Sequence, residues 1–251
     1  MDKNTEVIHL TNKGLLSNGA DSEKHFFDRI PEKSKDLESA VRYFLEFLHG
    51  FESLDIKGPC VTVFGSARFK PDHKYYEMAR ALGKRLAQEG FIVMTGGGPG
   101  IMEAANRGAK EGGGYTIGCN IILPNEQQPN PYLDKFVEFQ HFFVRKVMLL
   151  KYSVAFVVMP GGLGTMDEVF ETLTLIQCNK IEKFPVVAMG SEFWDKLHCF
   201  IDGTLVSEHT ISLEDQDLFT VTDSVDEVVE KIESSIPEYH MELVRKASWL
   251  N

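Results

Sequence analysis

Cysteine is scarce in this chain of 251 residues. The four present are far apart, form no CxxC pair and have no histidine at metal-ligand spacing: Cys60, Cys119, Cys178 and Cys199. This usage disfavours both a disulfide framework and a zinc site. We therefore expect reduced structural thiols, as in a cytoplasmic protein, and no bound metal.

Long apolar runs are missing as well. No run approaches the ~20 residues that span a bilayer, and residues 1–6 lack the basic and apolar regions of a secretory signal. The composition, 43% hydrophobic and 25% charged, is that of a globular protein rather than a disordered one. The length fits one large α/β domain or two small ones, and we expect no membrane partner.

Basic residues are too few to balance the acids, and the net charge is −11. The deficit is uneven, because residues 191–243 hold 14 acids and 2 bases whereas residues 57–151 hold 13 bases and 8 acids. A nucleic acid polymer would be repelled by the whole molecule, but a small anion can still be attracted to the basic half. We interpret the acidic region as a solvated surface.

Short apolar segments alternate with amphipathic ones through most of the chain. Residues 1–23 carry little periodicity and are interpreted as including a loose leader, and residues 22–52 predict two helices broken near Pro31. The alternation after Asp55–Pro59 predicts an α/β fold with a mostly parallel sheet and helices on both faces. We divide the chain into an N-terminal helical extension, 1–58, and a Rossmann-like α/β domain, 59–251. The predicted strands are Cys60–Phe64, Phe91–Thr95, Tyr115–Leu123, Phe136–Gln140, Val154–Met159, Pro185–Met189 and Leu218–Val221.

Glycine-bearing turns follow three of these strands, at Gly65-Ser66, Gly96–Gly100 and Gly161–Gly164. Parallel sheets bind ligands at the carboxyl ends of their strands, so one cleft is expected to hold all three turns. Glycines at a helix start let backbone amides approach an anion, and the helix dipole adds a favourable field. Both glycine-rich loops therefore suit an anion.

Two common nucleotide motifs are absent. The dinucleotide fingerprint GxGxxG fails because Glu103 and Asp167 occupy the third glycine position. GxxxxGK[ST] does not occur either, which disfavours a P-loop NTPase. The remaining pattern suits a single phosphate.

Glu168 has two interpretations. Thr165-x-x-Glu168 matches a capping box, in which the Glu side chain bonds to the backbone at the helix start. Alternatively, a first-turn Glu168 off the apolar stripe points to the carboxyl edge of the sheet, where it could stabilise positive charge or orient a water molecule.

Arg145 and Lys146 are either a surface pair or ligands of a phosphate or ribose, since they follow the strand near Phe136–Gln140 at the same sheet edge. His141 is interpreted as a structural residue in preference to a general base. Ser66 could donate its hydroxyl to a ligand or serve the turn alone. Further candidates to line the cleft are Asn120, Glu103 and Arg107.

The segment Pro160–Glu168 reads PGGLGTMDE and matches the motif PGGxGTxxE. With Gly65-Ser66, GGGPGIMEAA at 96–105 and Arg145-Lys146, it resembles the LONELY GUY (LOG) family of cytokinin riboside 5′-monophosphate phosphoribohydrolases, also labelled lysine decarboxylases. The resemblance covers about Cys60 to Ile236.

The resemblance implies a Rossmann-like fold, usually a homodimer or higher oligomer, without metal or organic cofactor. It implies hydrolysis of the N-glycosidic bond of a nucleoside 5′-monophosphate, giving free base and ribose 5-phosphate. By position, Glu168 and Arg145 are the catalytic pair. The expected substrate- and phosphate-binding residues are Gly65, Ser66, Gly97, Gly98, Arg145, Lys146, Gly161, Gly162, Gly164 and Thr165.

Phe142 and Phe143 replace the Met-His that plant-type members carry before x-Arg-Lys, and this change leaves the base open: AMP-type or cytokinin-type. Two alternatives remain: a carrier of a phosphorylated ligand, such as a molybdenum-cofactor carrier protein, and a broader purine or pyrimidine nucleotide nucleosidase. A true lysine decarboxylase is disfavoured, because the Ser-x-His-Lys motif of a pyridoxal-phosphate lysine is absent.

Overall fold

The computed structural model describes residues 6–8, 33–123 and 128–236. Within these residues the strands are β1 Glu6–Ile8, β2 Cys60–Phe64, β3 Ile92–Thr95, β4 Thr116–Ile121, β5 Lys135–Phe139, β6 Ser153–Val158, β7 Val186–Met189 and β8 Thr220–Thr222. These eight strands form one sheet in which every pair is parallel, in the order β1-β5-β4-β3-β2-β6-β7-β8. The order reverses direction at β2, which is the position where parallel α/β sheets open a crevice for ligands.

Helices cover both faces of the sheet, and each face has its own apolar core. Over the described residues the helices are α1 Lys33–Ser53, α2 Lys74–Gln88, α3 Ile101–Glu111, α4 Phe142–Lys151, α5 Leu163–Gln177, α6 Ser191–Phe200 and α7 Val225–Ser235. Side chains alternate along a strand, so Val61 and Val63 of β2 belong to the core under α2, α3 and α7, whereas Cys60 and Phe64 belong to the opposite core.

The predicted Rossmann-like α/β fold is confirmed, with each predicted strand after residue 59 present within one or two residues of its expected bounds. Within residues 1–23, which are interpreted as including a loose leader, Glu6–Ile8 forms a strand that pairs with β5 and that the sequence did not indicate. The rest of this segment lies outside the described residues. Three residues carry no periodicity, and this strand is held by backbone hydrogen bonds that any sequence can make. The helix predicted before Pro31 lies outside the described residues.

The N-terminal helix α1 packs against α4 and β5. Its buried residues are Glu46, Gly50 and Ser53, and Gly50 is close to Met148, which an added Cβ would meet at 2.8 Å. The division of the chain at residue 58 stays a prediction. Over the described ranges, no helix is both long and apolar enough to cross a membrane.

Candidate active site

The three glycine turns meet at the carboxyl ends of β2, β3 and β6. The amide of Ser66 donates to the carbonyl oxygen of Pro160 at 3.0 Å, and the amide of Ile101 donates to the carbonyl oxygen of Ser66 at 3.0 Å. These backbone bonds join the first turn to each of the other two. Beside them lies a cavity of about 700 Å³ that Gly65, Ser66 and Gly161 line.

The N-terminus of α5 forms one wall of this cavity. Gly162 is the N-cap, and no side chain caps the helix. The amide of Thr165 donates to the carbonyl oxygen of Gly162 at 3.0 Å, and the amides before it lie at the end of the helix where intrahelical acceptors are lacking. A Cβ at Gly161 would lie 2.1 Å from Oγ1 of Thr165, whereas Cβ atoms at Gly162 and Gly164 would meet no protein atom within 4 Å. The backbone is therefore open at Gly162 and Gly164, and the helix dipole favours an anion there.

Arg145 reaches this cavity from the first turn of α4. Its Nε donates to the carbonyl oxygen of Cys119, at the carboxyl end of β4, at 2.9 Å. A Cβ at Gly96 would lie 3.2 Å from Nη2 of Arg145, so glycine at that position leaves room for the guanidinium. Because the side chain is 13% exposed and hydrogen-bonded, its position is fixed within the cavity wall.

Glu168 lies opposite Arg145, with 3.8 Å between its Oε1 and Nη1 of the guanidinium. Its side chain is 8% exposed. Burial raises the pKa of Glu168 to about 7, although the positive charges of Arg145 and Lys146 act in the opposite direction. A carboxyl group with this pKa is half-ionised near neutral pH, as a group that exchanges protons during a reaction requires.

The capping box predicted for Thr165 and Glu168 does not form. Since α5 begins at Leu163, Thr165 lies inside the helix and Glu168 is on the second turn, not the first as the sequence indicated. The expectation that Glu168 is near the sheet edge and faces the cleft agrees with the geometry. The buried carboxyl therefore needs another explanation than helix capping.

Most predicted site residues line the cavity, but a few do not. The Lys146 ammonium binds Asp167 at 2.8 Å and Glu171 at 2.6 Å, on the outer side of α5. Gly97 packs on Phe136, and the carbonyl oxygen of Gly98 accepts a hydrogen bond from the side-chain amide (Nδ2) of Asn130 at 3.1 Å. Both glycines shape the second turn rather than line the cavity.

The further candidates from the sequence have structural roles. The carboxylate of Glu103 accepts a hydrogen bond from the Tyr76 hydroxyl at 2.8 Å, and Arg107 pairs with Glu111 at 3.0 Å. The side chain of Asn120 accepts a hydrogen bond from the next backbone amide. His141 is buried against Glu46, which confirms its interpretation as a structural residue.

Gly96 and Leu163, from the predicted turns, and Phe142, from the start of α4, line the cavity as expected. Several other cavity residues were not among the predicted site residues: Ala67, Arg68, Phe69, Met102, Asp167 and Phe193. Arg68 carried a usable signal, because it follows Gly65-Ser66 by two residues in the basic half of the chain. Phe193 comes from α6, and only the folded sheet brings that helix to the cavity. Within the described segments, no group of three potential metal ligands occurs.

The sheet and its three turns define this chain as a Rossmann-like α/β protein with an anion-suited helix terminus in the cleft. The family model described as "Possible lysine decarboxylase" matches residues 102–232. The chain belongs to this family, the LOG family.

Two curated relatives show the extent of the likeness. The cytokinin riboside 5′-monophosphate phosphoribohydrolase LOG of Oryza sativa subsp. japonica is 32% identical, covering 68% of this chain and 71% of the relative. The enzyme of the same description from Arabidopsis thaliana, LOG1, is 30% identical and covers 76% of this chain and 88% of the relative.

Solved structures with the same fold include two molybdenum-cofactor proteins. A molybdenum cofactor binding protein from Rippkaea orientalis has a TM-score of 0.55 at 24% identity, covering 73% of this chain and all of that one. The molybdenum cofactor carrier protein of Chlamydomonas reinhardtii has a TM-score of 0.52 at 26% identity, covering 71% of this chain and 98% of that one. The fold is therefore shared with proteins of different described roles.

Proposed function

We propose that this protein hydrolyses the N-glycosidic bond of a nucleoside 5′-monophosphate, of the AMP or cytokinin riboside type, to free base and ribose 5-phosphate. One observation carries the proposal: the Glu168 carboxyl and the Arg145 guanidinium lie 3.8 Å apart in the cavity that the Gly161–Thr165 turn borders. The two phosphoribohydrolases that share about 30% of its sequence support it.

The phosphate of the substrate would lie on the N-terminus of α5. Gly162 and Gly164 leave the backbone amides accessible, and the dianion meets the positive end of the helix. Gly161 and Thr165 hold the turn in shape, while Gly65 and Ser66 border the nucleotide. We do not assign Lys146, Gly97 or Gly98 a direct contact, because they do not line the cavity.

Cleavage of an N-glycosidic bond passes through a state with positive charge on the ribose and negative charge on the leaving base. The ionised Glu168 carboxylate stabilises that positive charge and takes a proton from the attacking water. The oxygen of this water bonds to the anomeric carbon as the bond to the base nitrogen breaks. The leaving nitrogen takes a proton from solvent, and Glu168 releases the proton of the attacking water to solvent. Arg145 holds the ribose in register beside Glu168.

Incubation with AMP, CMP, GMP and isopentenyladenosine monophosphate tests the proposal, with free base detected by chromatography. We expect release from at least one of them together with an equal amount of ribose 5-phosphate. Adenosine is the matched control, because without its phosphate it loses the contacts to the α5 terminus. Release from none of the four nucleotides would overturn the proposal.

A carrier of a phosphorylated ligand is the second candidate, favoured by the shared fold and 26% identity with the Chlamydomonas reinhardtii carrier. Such a protein would bind a phosphorylated pterin and leave AMP intact. The juxtaposition of Glu168 and Arg145 favours the hydrolase, since a carrier needs no half-ionised carboxyl in its cavity. Base release therefore separates the two functions.

We also propose that the protein is cytoplasmic and that it acts without a metal or organic cofactor.

Self-association is part of the same proposal. The α1 helix exposes apolar side chains at alternating intervals of four and three residues, the spacing of associating helices: Leu37, Val41, Phe44, Leu48 and Phe51. We propose a homodimer or a higher homo-oligomer. Light scattering after size-exclusion chromatography measures the mass of the particle, and a mass of 28.3 kDa would contradict this part of the proposal.

A further inference from the structure

A buried carboxylate outside the cavity contacts the element that carries Arg145. Glu46 of α1 is 1% exposed and has no place in the proposed reaction. Its Oε1 accepts hydrogen bonds from the amides of Gln140 at 2.5 Å and His141 at 3.1 Å, and its Oε2 contacts Nδ1 of His141. One carboxylate therefore binds two successive amides and a ring nitrogen, all at the start of α4.

The start of α4 needs such a partner. His141 is the N-cap residue but makes no side-chain capping bond, and the first turn contains no acidic residue. The first amides of a helix lack intrahelical acceptors, and negative charge is favoured at this end of the helix dipole. Glu46 accepts from the first of these amides, that of the N-cap residue His141, and brings a carboxylate to this end of α4 from about 95 residues earlier in the chain.

Arg145 is one helical turn from this cap. Its amide donates to the carbonyl oxygen of His141 at 3.2 Å, so the capped residue is the acceptor of the backbone bond that positions Arg145. Aromatic packing strengthens the same junction, since the Tyr43 ring of α1 lies edge-on to His141 at 4.6 Å and to Phe143 at 4.9 Å. The start of α4 is thus held by α1, while the guanidinium is held at Cys119.

We propose that Glu46 is a positioning residue, which caps α4 from the N-terminal helix and so holds Arg145 at its distance from Glu168. This inference rests on the proposed hydrolysis for its kinetic consequence. The geometry of Arg145 itself is independent of that function. The N-terminal helix then has a role in the site although none of its residues lines the cavity.

The kinetic test compares Glu46→Ala and Glu46→Gln with Glu38→Gln, a matched control on the exposed side of α1. We expect Glu46→Ala to lower kcat at least tenfold, with the affinity for inorganic phosphate within threefold of wild type, because the phosphate lies on α5. Glu46→Gln keeps an oxygen acceptor for both amides and should recover most of the loss. Equal kcat in Glu46→Ala and wild type would overturn the inference.

A double-mutant cycle with Arg145→Ala separates positioning from general destabilisation. If Glu46 acts through Arg145, the double variant is no slower than Arg145→Ala alone, whereas independent roles give multiplied losses. Multiplied losses would count against Glu46 as a positioning residue. Thermal unfolding of each variant identifies any loss that comes from misfolding, and Glu46→Gln remains available if Glu46→Ala does not fold.

A spectroscopic measurement tests Glu46 without any turnover. The Nε–H resonance of Arg145 is identified by its absence in Arg145→Ala and reports the bond to Cys119. We expect it to shift and to exchange faster with solvent in Glu46→Ala than in Glu38→Gln. If wild type releases no base, the proposed hydrolysis fails but this resonance still decides the positioning role; an unchanged resonance in Glu46→Ala rejects it.

Discussion

At the scale of single residues, the site depends on a carboxyl and a guanidinium that share a poorly solvated wall. Glu168 and Arg145 are each less than 15% exposed and 3.8 Å apart, too far for a tight bidentate pair. Burial dominates over the attraction of Arg145, and it raises the pKa of the carboxyl to about 7. Glu168 can therefore exist in both protonation states under ordinary conditions.

Replacement of Glu168 by Gln tests the proposed proton acceptor. Loss of a general acid or base typically costs ~10²–10⁴-fold, and we expect kcat for base release to fall by at least ~10²-fold with the fold retained by circular dichroism. The control is Glu171→Gln, one turn along the same helix and half-exposed. Equal activity in Glu168→Gln and wild type would remove Glu168 from the mechanism.

The guanidinium is tested in the same assay. Arg145→Ala should lower kcat by at least ~10²-fold, because the ribose loses the group that holds it beside the carboxyl. Arg145→Lys should recover only part of the rate, since an ammonium lacks the planar fork that meets Cys119 and the ligand together. Lys151→Ala, at the exposed last turn of α4, is the control. A fully active Arg145→Ala would contradict the assignment.

The raised pKa of Glu168 also predicts a pH-dependent stability difference. Between its ordinary pKa of 4.5 and about 7, the unfolded chain has released this proton while the folded chain keeps it, so wild type loses stability as pH rises. Glu168→Gln has no proton to release at this position and does not lose stability in this way. The free energy of unfolding of Glu168→Gln minus that of wild type should therefore increase by up to ~3 kcal/mol between pH 4.5 and pH 8. Urea unfolding at both pH values measures it, and a constant difference would refute a raised pKa.

At the scale of elements, the turn into α5 uses its glycines for two different reasons. Gly161 is required by the protein, because a Cβ there would lie 2.1 Å from Thr165, whereas a Cβ at Gly164 would meet no protein atom within 4 Å. A methyl group at Gly164 can thus collide only with a bound ligand. Substitution of Gly161 and of Gly164 therefore offers a way to locate the phosphate without a structure of the bound ligand.

Alanine at each of these two glycines gives opposite expectations. Gly161→Ala should cost about 1–3 kcal/mol of unfolding free energy, as overpacking does. Gly164→Ala should be as stable as wild type or up to ~1 kcal/mol more stable, since Ala favours a helix, yet raise KM for the nucleotide at least tenfold. Urea unfolding and initial-rate kinetics measure both effects. An unchanged KM in Gly164→Ala would place the phosphate elsewhere.

At the scale of the whole molecule, charge and topology act together. Two basic residues of the segment 57–151, Arg68 and Arg145, line the cavity together with Asp167 and Glu168, although the net charge of the chain is −11. The N-terminal region adds an edge strand beside β5 and a helix on α4. The extension is thus integrated with the elements that form the site.

The sequence by itself determined the order of strands and helices along the chain after residue 59, because short apolar segments alternate there with amphipathic ones. It also indicated the anion-suited turn at Gly161–Thr165, since backbone exposure there needs glycine whatever its surroundings. Both are local properties, which neighbouring residues decide.

Only the tertiary structure decided which side chains meet. Glu168 and Arg145 lie on helices that follow β6 and β5, and three strands separate β5 from β6 in the sheet. The burial that raises the pKa of Glu168 comes from packing. Lys146 binds Asp167 and Glu171 and does not line the cavity. Glu46 reaches α4 across 95 positions of sequence. Such contacts depend on how distant elements pack, and no local pattern in the chain encodes them.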